Sequence, residues 1–201
     1  MSAALWTAAG FASGSIMYAL WLGKLALRRD IREVGDGNPG AFNILKAGGV
    51  GLGALAMLLD ALKGAIPVGL ARWGFGIGGA PLVAVALAPV FGHAFSPWLR
   101  FKGGKAVAVT FGLWTGLTIW EAPTFMGLLL GLAFSLISVS GWAVLWMMAC
   151  IGIYYLITYP DPVWLTIWLV NTLILAYKYR ADLRQPLDLR PAVKRLLWRS
   201  P

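Results

Sequence analysis

The chain has 201 residues, 59% of them hydrophobic and 12% charged, with a formal charge of +9 and a mean hydropathy of +0.74. A soluble domain is about a quarter charged, so this composition excludes a water-soluble enzyme and indicates a polytopic membrane protein. One histidine and one cysteine argue against a disulfide framework or a metal centre built from protein ligands.

A membrane helix needs about 20 mostly apolar residues. On that measure seven spans are predicted, at 3–27, 50–73, 80–99, 106–120, 122–137, 139–158 and 162–178. The fold class is therefore all-α, one integral membrane domain over 1–201. Span one has no basic leader and is too long for a signal-peptide core, so it is expected to remain in the membrane. It is followed by a polar, glycine-rich segment, 28–49. Span two carries Asp60 and Lys63, three residues apart and so on one helix face. Ionised groups in a span face a polar interior, either as an ion pair that holds helices together or as part of a site. Span three holds His93, the single histidine, near its end, where a structural and a catalytic role are both open. A short basic loop, 100–105, comes next. Spans four to seven are closely spaced, punctuated by Glu121, Pro123, Ser138, Ser140, Pro160 and Asp161. A basic tail, 179–201, closes the chain.

The charges set the orientation. With the N-terminus out, the segments 28–49 and 100–105, the short 137–139 turn and the tail from 178, counted with Lys24, fall inside and hold 15 of the 17 Lys and Arg residues. The positive-inside rule then predicts N-out/C-in. The positive charge is read as topology and as attraction to anionic lipid heads, so membrane lipids are expected partners and nucleic acid is not.

Residues 35–40, "GDGNPG", fit G-x-G-x-x-G. A dinucleotide site needs that pattern between a strand and a helix. Here an apolar helix precedes it, and the nucleotide reading is rejected. A different use of glycine fits better. The segments "REVGDGNPGAFNILKAGG" (32–49) and "GHAFSPWLRFKGGKAVA" (92–108) are glycine-rich, carry Lys or Arg, and lead into apolar helices. Glycine lets backbone N–H groups approach an anion, and lysines neutralise it. The same pattern also reads as tight loops bearing topology-setting lysines.

The stretches "VGDGNPGAFNILKAGG", "LLDALKGAIPV" and "GHAFSPWLRFKGGKAVAVTFG", in this order and spacing, resemble the bacterial membrane acyl-phosphate:glycerol-3-phosphate acyltransferases of the PlsY type. The resemblance implies seven membrane helices, N-out and C-in, in the cytoplasmic (inner) membrane. It implies transfer of a fatty acyl group from acyl-phosphate to glycerol 3-phosphate, giving lysophosphatidic acid without any metal or organic cofactor. By resemblance, Asn38, Asn43, Lys46 and His93 are the expected catalytic positions. Gly37, Gly40, Lys63, Lys102, Gly103, Gly104 and Lys105 are the expected phosphate-binding ones.

Several positions depart from the family pattern. Asp36 stands where the family has Ser, Lys46 where it has Arg, Phe42 where it has Thr, and Ala106 where it has Gly. In the last motif Tyr179, Ala181 and Asp182 replace His, Glu and Asn. A carboxylate about 4 Å from a phosphate repels it by about 4 kcal/mol at an effective dielectric near 20. Asp36 is expected either to oppose substrate in this way or to pair with Lys46 or Arg32 as a plug. Lys46 lacks the planar two-point grip of arginine. These departures support a second reading, a catalytically degenerate relative serving as a lipid- or pigment-contacting subunit of a larger membrane complex. A carrier for a phosphate-bearing solute is a third, though no charged pair threads the later spans.

Overall fold

The structure is a computed structural model and describes residues 2–197. Its elements are helical: α1 (Ala3–Ser15), α2 (Tyr18–Ala26), α3 (Ala41–Gly69), α4 (Ala80–Ala94), α5 (Val107–Thr118), α6 (Glu121–Leu136), α7 (Ser140–Thr158), α8 (Pro162–Lys178) and α9 (Pro191–Leu197). Four segments are long and apolar enough to cross a membrane: Ala3–Ala26, Ala41–Gly74, Ala80–Leu99 and Ser140–Thr158. The apolar helices α5, α6 and α8 are shorter. The chain divides into two compact units, 1–123 and 124–201.

In the first unit, small residues let helices touch backbone to backbone, as expected where lipid offers no hydrophobic drive for helix association. A Cβ at Gly14 would run into the Pro89 carbonyl of α4, and one at Gly92 into the Phe11 carbonyl of α1. Gly112 of α5 lies as close to the Ala61 carbonyl of α3.

Two breaks correct the sequence expectations. Span one is interrupted: Ile16 is extended (φ −71°, ψ 125°) and Met17 is also non-helical. Such a break strands carbonyls that a straight helix would satisfy. The fold supplies their donors from elsewhere: Ser96 Oγ donates to the Ser15 carbonyl (2.8 Å) and Lys63 Nζ to the Ile16 carbonyl (2.6 Å). The expected loop 28–49 is the second correction. It ends at Gly40, because Ala41 already begins α3, and the discontinuity falls instead at Gly49 (φ 77°, ψ −177°). Only glycine adopts that backbone without strain.

In the second unit, α7 and α8 lock through Trp168, whose indole covers Gly152 and donates to the Met148 carbonyl (2.7 Å). The segment after α8 folds back along the α6–α7 turn. Ser138 N–H donates to the Asp188 carbonyl, Arg190 N–H to the Leu136 carbonyl, and Trp142 Nε1 to the Gln185 carbonyl.

Candidate functional site: two glycine-bearing loops and a buried charge cluster

The expected site residues of the first unit fall into two groups. The first is where the segment 35–46 meets Lys105. Asp36 Oδ2 lies 3.0 Å from Lys105 Nζ. Its other oxygen accepts the Asn43 amide (2.9 Å) and the Asn38 backbone N–H (3.2 Å). The Asn43 amide also donates to the Asn38 carbonyl (2.9 Å), which closes a small ring of polar contacts across the turn. Gly35 and Gly37 flank Asp36 with φ of 63° and 73°, so the turn takes conformations that favour glycine. Gly40 packs on the Asn38 amide, and Lys46 Nζ comes close to Gly35. Asn43 is buried, whereas Asp36 keeps 49% of its side chain exposed.

Burial works against the charged form of Asp36. The bonds from Lys105, Asn38 and Asn43 outweigh it and hold the carboxyl below its ordinary range. Asp36 is thus a charged, paired anion. The expected partners are corrected: Lys105 takes the role proposed for Lys46 or Arg32. Arg32 is committed to Asp30, which it grips through Nε and Nη2, lowering the Asp30 pKa to about 2.

The second group lies behind the 101–105 loop. Gly103 and Gly104 are buried against His93: the Gly104 N–H donates to the His93 carbonyl (3.1 Å), and the imidazole packs so closely on Gly104 that any Cβ there would strike Nε2. A Cβ on Gly103 would strike the His93 carbonyl. Both glycines are therefore required by close approach. His93 Nδ1 faces the Asp60 carboxylate at 4.0 Å, and Asp60 pairs with Lys63 at 2.7 Å. All three side chains are at most 3% exposed. The Lys63 ammonium also donates to Ile16 and lies 5.7 Å from the Tyr18 ring centre.

The structure therefore brings together Gly37, Asn38, Gly40, Asn43 and Lys46 with Lys105, and sets His93 against Gly103 and Gly104. Lys102 is exposed on the same loop. Lys63 lies with Asp60 and His93 in the second group, where its ammonium pairs with Asp60 and donates to the Ile16 carbonyl. Tyr179 and Asp182, from the last motif, belong to the second unit and close over Gly141.

An apolar groove of about 960 Å³ opens at the α1–α2 break. It is lined by Ile16, Met17, Leu20, Trp21, Leu59 and Trp98, with Lys24 among its walls. Trp98 and Leu99, which line the groove, come just before the 101–105 loop in the chain. The sequence gives no sign of this groove, since every lining residue but Lys24 reads as ordinary membrane helix. The serine-rich "SGSIM" at 13–17 is the one local hint that the helix is interrupted.

A family profile described as glycerol-3-phosphate acyltransferase matches residues 4–188. A glycerol-3-phosphate acyltransferase 1 of Thermotoga maritima is 44% identical over 115 residues, 56% of either chain. One from Anaeromyxobacter dehalogenans is 45% identical over 59% of this chain and 61% of its own length. These matches span little more than half the length of such relatives. A glycerol-3-phosphate acyltransferase of Rhodopseudomonas palustris is 39% identical over 88% of both chains. The fold is similar to the crystal structure of PlsY, an integral membrane glycerol 3-phosphate acyltransferase, in its glycerol 3-phosphate form. The TM-score is 0.85, the identity 26%, and coverage 99% of this chain and 100% of that one. The lysophosphatidic acid form gives 0.79 at 27% identity, over 98% and 92%.

Proposed function

We propose that this chain, which belongs to the glycerol-3-phosphate acyltransferase family, transfers a fatty acyl group from acyl-phosphate to glycerol 3-phosphate, releasing lysophosphatidic acid and phosphate. The observation that carries the reading is the place of Trp98 and Leu99, which line an apolar groove and come just before a lysine-bearing glycine loop in the chain. Acyl-phosphate needs both at once, a cradle for its phosphate and an apolar channel for its chain.

The chemistry asks little of the protein beyond alignment and charge stabilisation. The glycerol hydroxyl attacks the acyl carbonyl, a C–O bond forms, and the bond to the phosphate oxygen breaks. The departing phosphate is already a good leaving group and can carry off the hydroxyl proton. Lys102, Gly103, Gly104 and Lys105 would hold glycerol 3-phosphate, while Gly37, Asn38, Gly40, Asn43 and Lys46 would shape the acyl-phosphate side. His93 would act from behind the loop, fixing the backbone of Gly104. Lys63 would hold the α1–α2 break open beside the groove.

The membrane arrangement belongs to the same proposal: seven crossings, N-out and C-in, in a bacterial cytoplasmic membrane, with both loops on the inner face where soluble glycerol 3-phosphate is found. The family match over residues 4–188 supports this reading over the accessory-subunit one, which rests on the departures in the first and last motifs alone. The decisive assay mixes purified full-length protein with acyl-phosphate and glycerol 3-phosphate. Lysophosphatidic acid should accumulate in proportion to enzyme. Formation no faster than in a protein-free control would refute the proposal.

A further inference from the structure

We propose that the Asp36 carboxylate is an internal substitute for a substrate phosphate, seated in an anion cradle from which the phosphate-bearing substrate must displace it. The identity of that substrate rests on the acyltransferase reading. The cradle itself rests on geometry. A cation (Lys105, 3.0 Å), a side-chain amide (Asn43, 2.9 Å) and a backbone N–H (Asn38, 3.2 Å) converge on one carboxylate. Those donor types are also the ones that hold phosphate oxygens. Every donor comes from the two segments proposed to bind substrate phosphates.

Two details make the occupant displaceable. The Asn43 amide has a second acceptor in the Asn38 carbonyl, so it stays aimed when the carboxylate leaves. Asp36 itself is half exposed and sits between Gly35 and Gly37, whose backbones tolerate a swing of the turn. An ion pair in such a solvated position is weak. A phosphate, with more charge and more acceptor oxygens, can replace it. The closed latch therefore lowers the apparent affinity of the site by the fraction of time it is shut. Asp36 acts as a gate on substrate affinity, and the glycines around it serve the gate as well as the phosphate.

The test compares glycerol 3-phosphate binding, by isothermal titration calorimetry on the full chain in lipid nanodiscs, for wild type, Asp36→Ser and Asp36→Asn. Both variants should bind roughly tenfold more tightly, through loss of the competing pair and of carboxylate–phosphate repulsion. Equal or weaker binding by the folded variants overturns the proposal, and so does an absence of binding by all three proteins. Failure of both variants to fold also overturns it, since a displaceable latch is not needed for folding. Tighter binding by the variants, with no lysophosphatidic acid formed by the wild type or by either variant, would sink the acyltransferase reading alone and leave the latch standing.

Discussion

Asp60 and Lys63 show how the setting of a pair decides its role. Both are buried, 2.7 Å apart, and linked onward to His93 and to the Ile16 carbonyl. Removing one partner strands the other charge and costs about 3–5 kcal/mol, whereas removing both often costs much less. Lys63→Met should therefore sharply lower the unfolding temperature in detergent. Asp60→Asn combined with Lys63→Met should recover part of that loss. A double variant no more stable than the worse single would show that Lys63 is needed chiefly for the Ile16 carbonyl. The sequence alone marks this pair as special, because charges inside a span are rare, but it leaves its role open. The acceptor that Lys63 reaches, the Ile16 carbonyl at the helix break on α1–α2, is remote in sequence and no local pattern reveals it. The Asp36–Lys105 pair was hidden for the same reason. Charge and spacing flag Asp36 and Lys105 separately, and nothing local says which of several nearby cations Asp36 will choose.

At the scale of elements, hydropathy located the helices and missed their interruptions. The expected 139–158 and 162–178 agree closely with α7 and α8, because punctuation is chemically strong there: Asp161 caps α8 by accepting the Val163 N–H (2.7 Å). The break in span one leaves only the fainter mark of the serines in "SGSIM". The residues at the break, 13–17, are all apolar or small, and an average over apolar residues cannot register two non-helical torsion pairs. Hydropathy likewise puts Gly49 at the end of a loop, whereas it is the joint between a short helical segment, 41–48, and the long run of α3. Its φ of 77° with ψ of −177° costs a residue bearing Cβ about 1–3 kcal/mol. A Cβ there meets nothing within 4 Å, so the penalty is conformational and not steric. Gly49→Ala should lower thermal stability by that amount. It should also raise the KM for acyl-phosphate, since the segment 41–48 carries Asn43 and Lys46. Gly51→Ala, equally uncrowded and without an unusual torsion, is the control and should be near neutral.

For the whole molecule, orientation is set by charge distributed over the entire chain. Fifteen of the 17 Lys and Arg residues fall in segments that seven crossings with an external N-terminus would place inside. The reverse orientation would carry nearly all of that charge across the membrane. The single cysteine, Cys150, makes the arrangement measurable: Cys150→Ala leaves a thiol-free chain to which one reporter is added at a time. Glu33 and Gly78 are exposed positions in two separate connections, and Ala192 is exposed on α9. In intact cells an impermeant thiol reagent should label Gly78→Cys, in the connection before α4, and leave Glu33→Cys and Ala192→Cys unlabelled until the membrane is permeabilised. Labelling of Glu33→Cys from outside would put the Asp36 turn and the Lys105 loop on the wrong face for cytoplasmic glycerol 3-phosphate. Labelling of Ala192→Cys alone would mean an even number of crossings. Either result would contradict a site in which a soluble phosphate arrives from the cytoplasm while the acyl chain arrives through the bilayer.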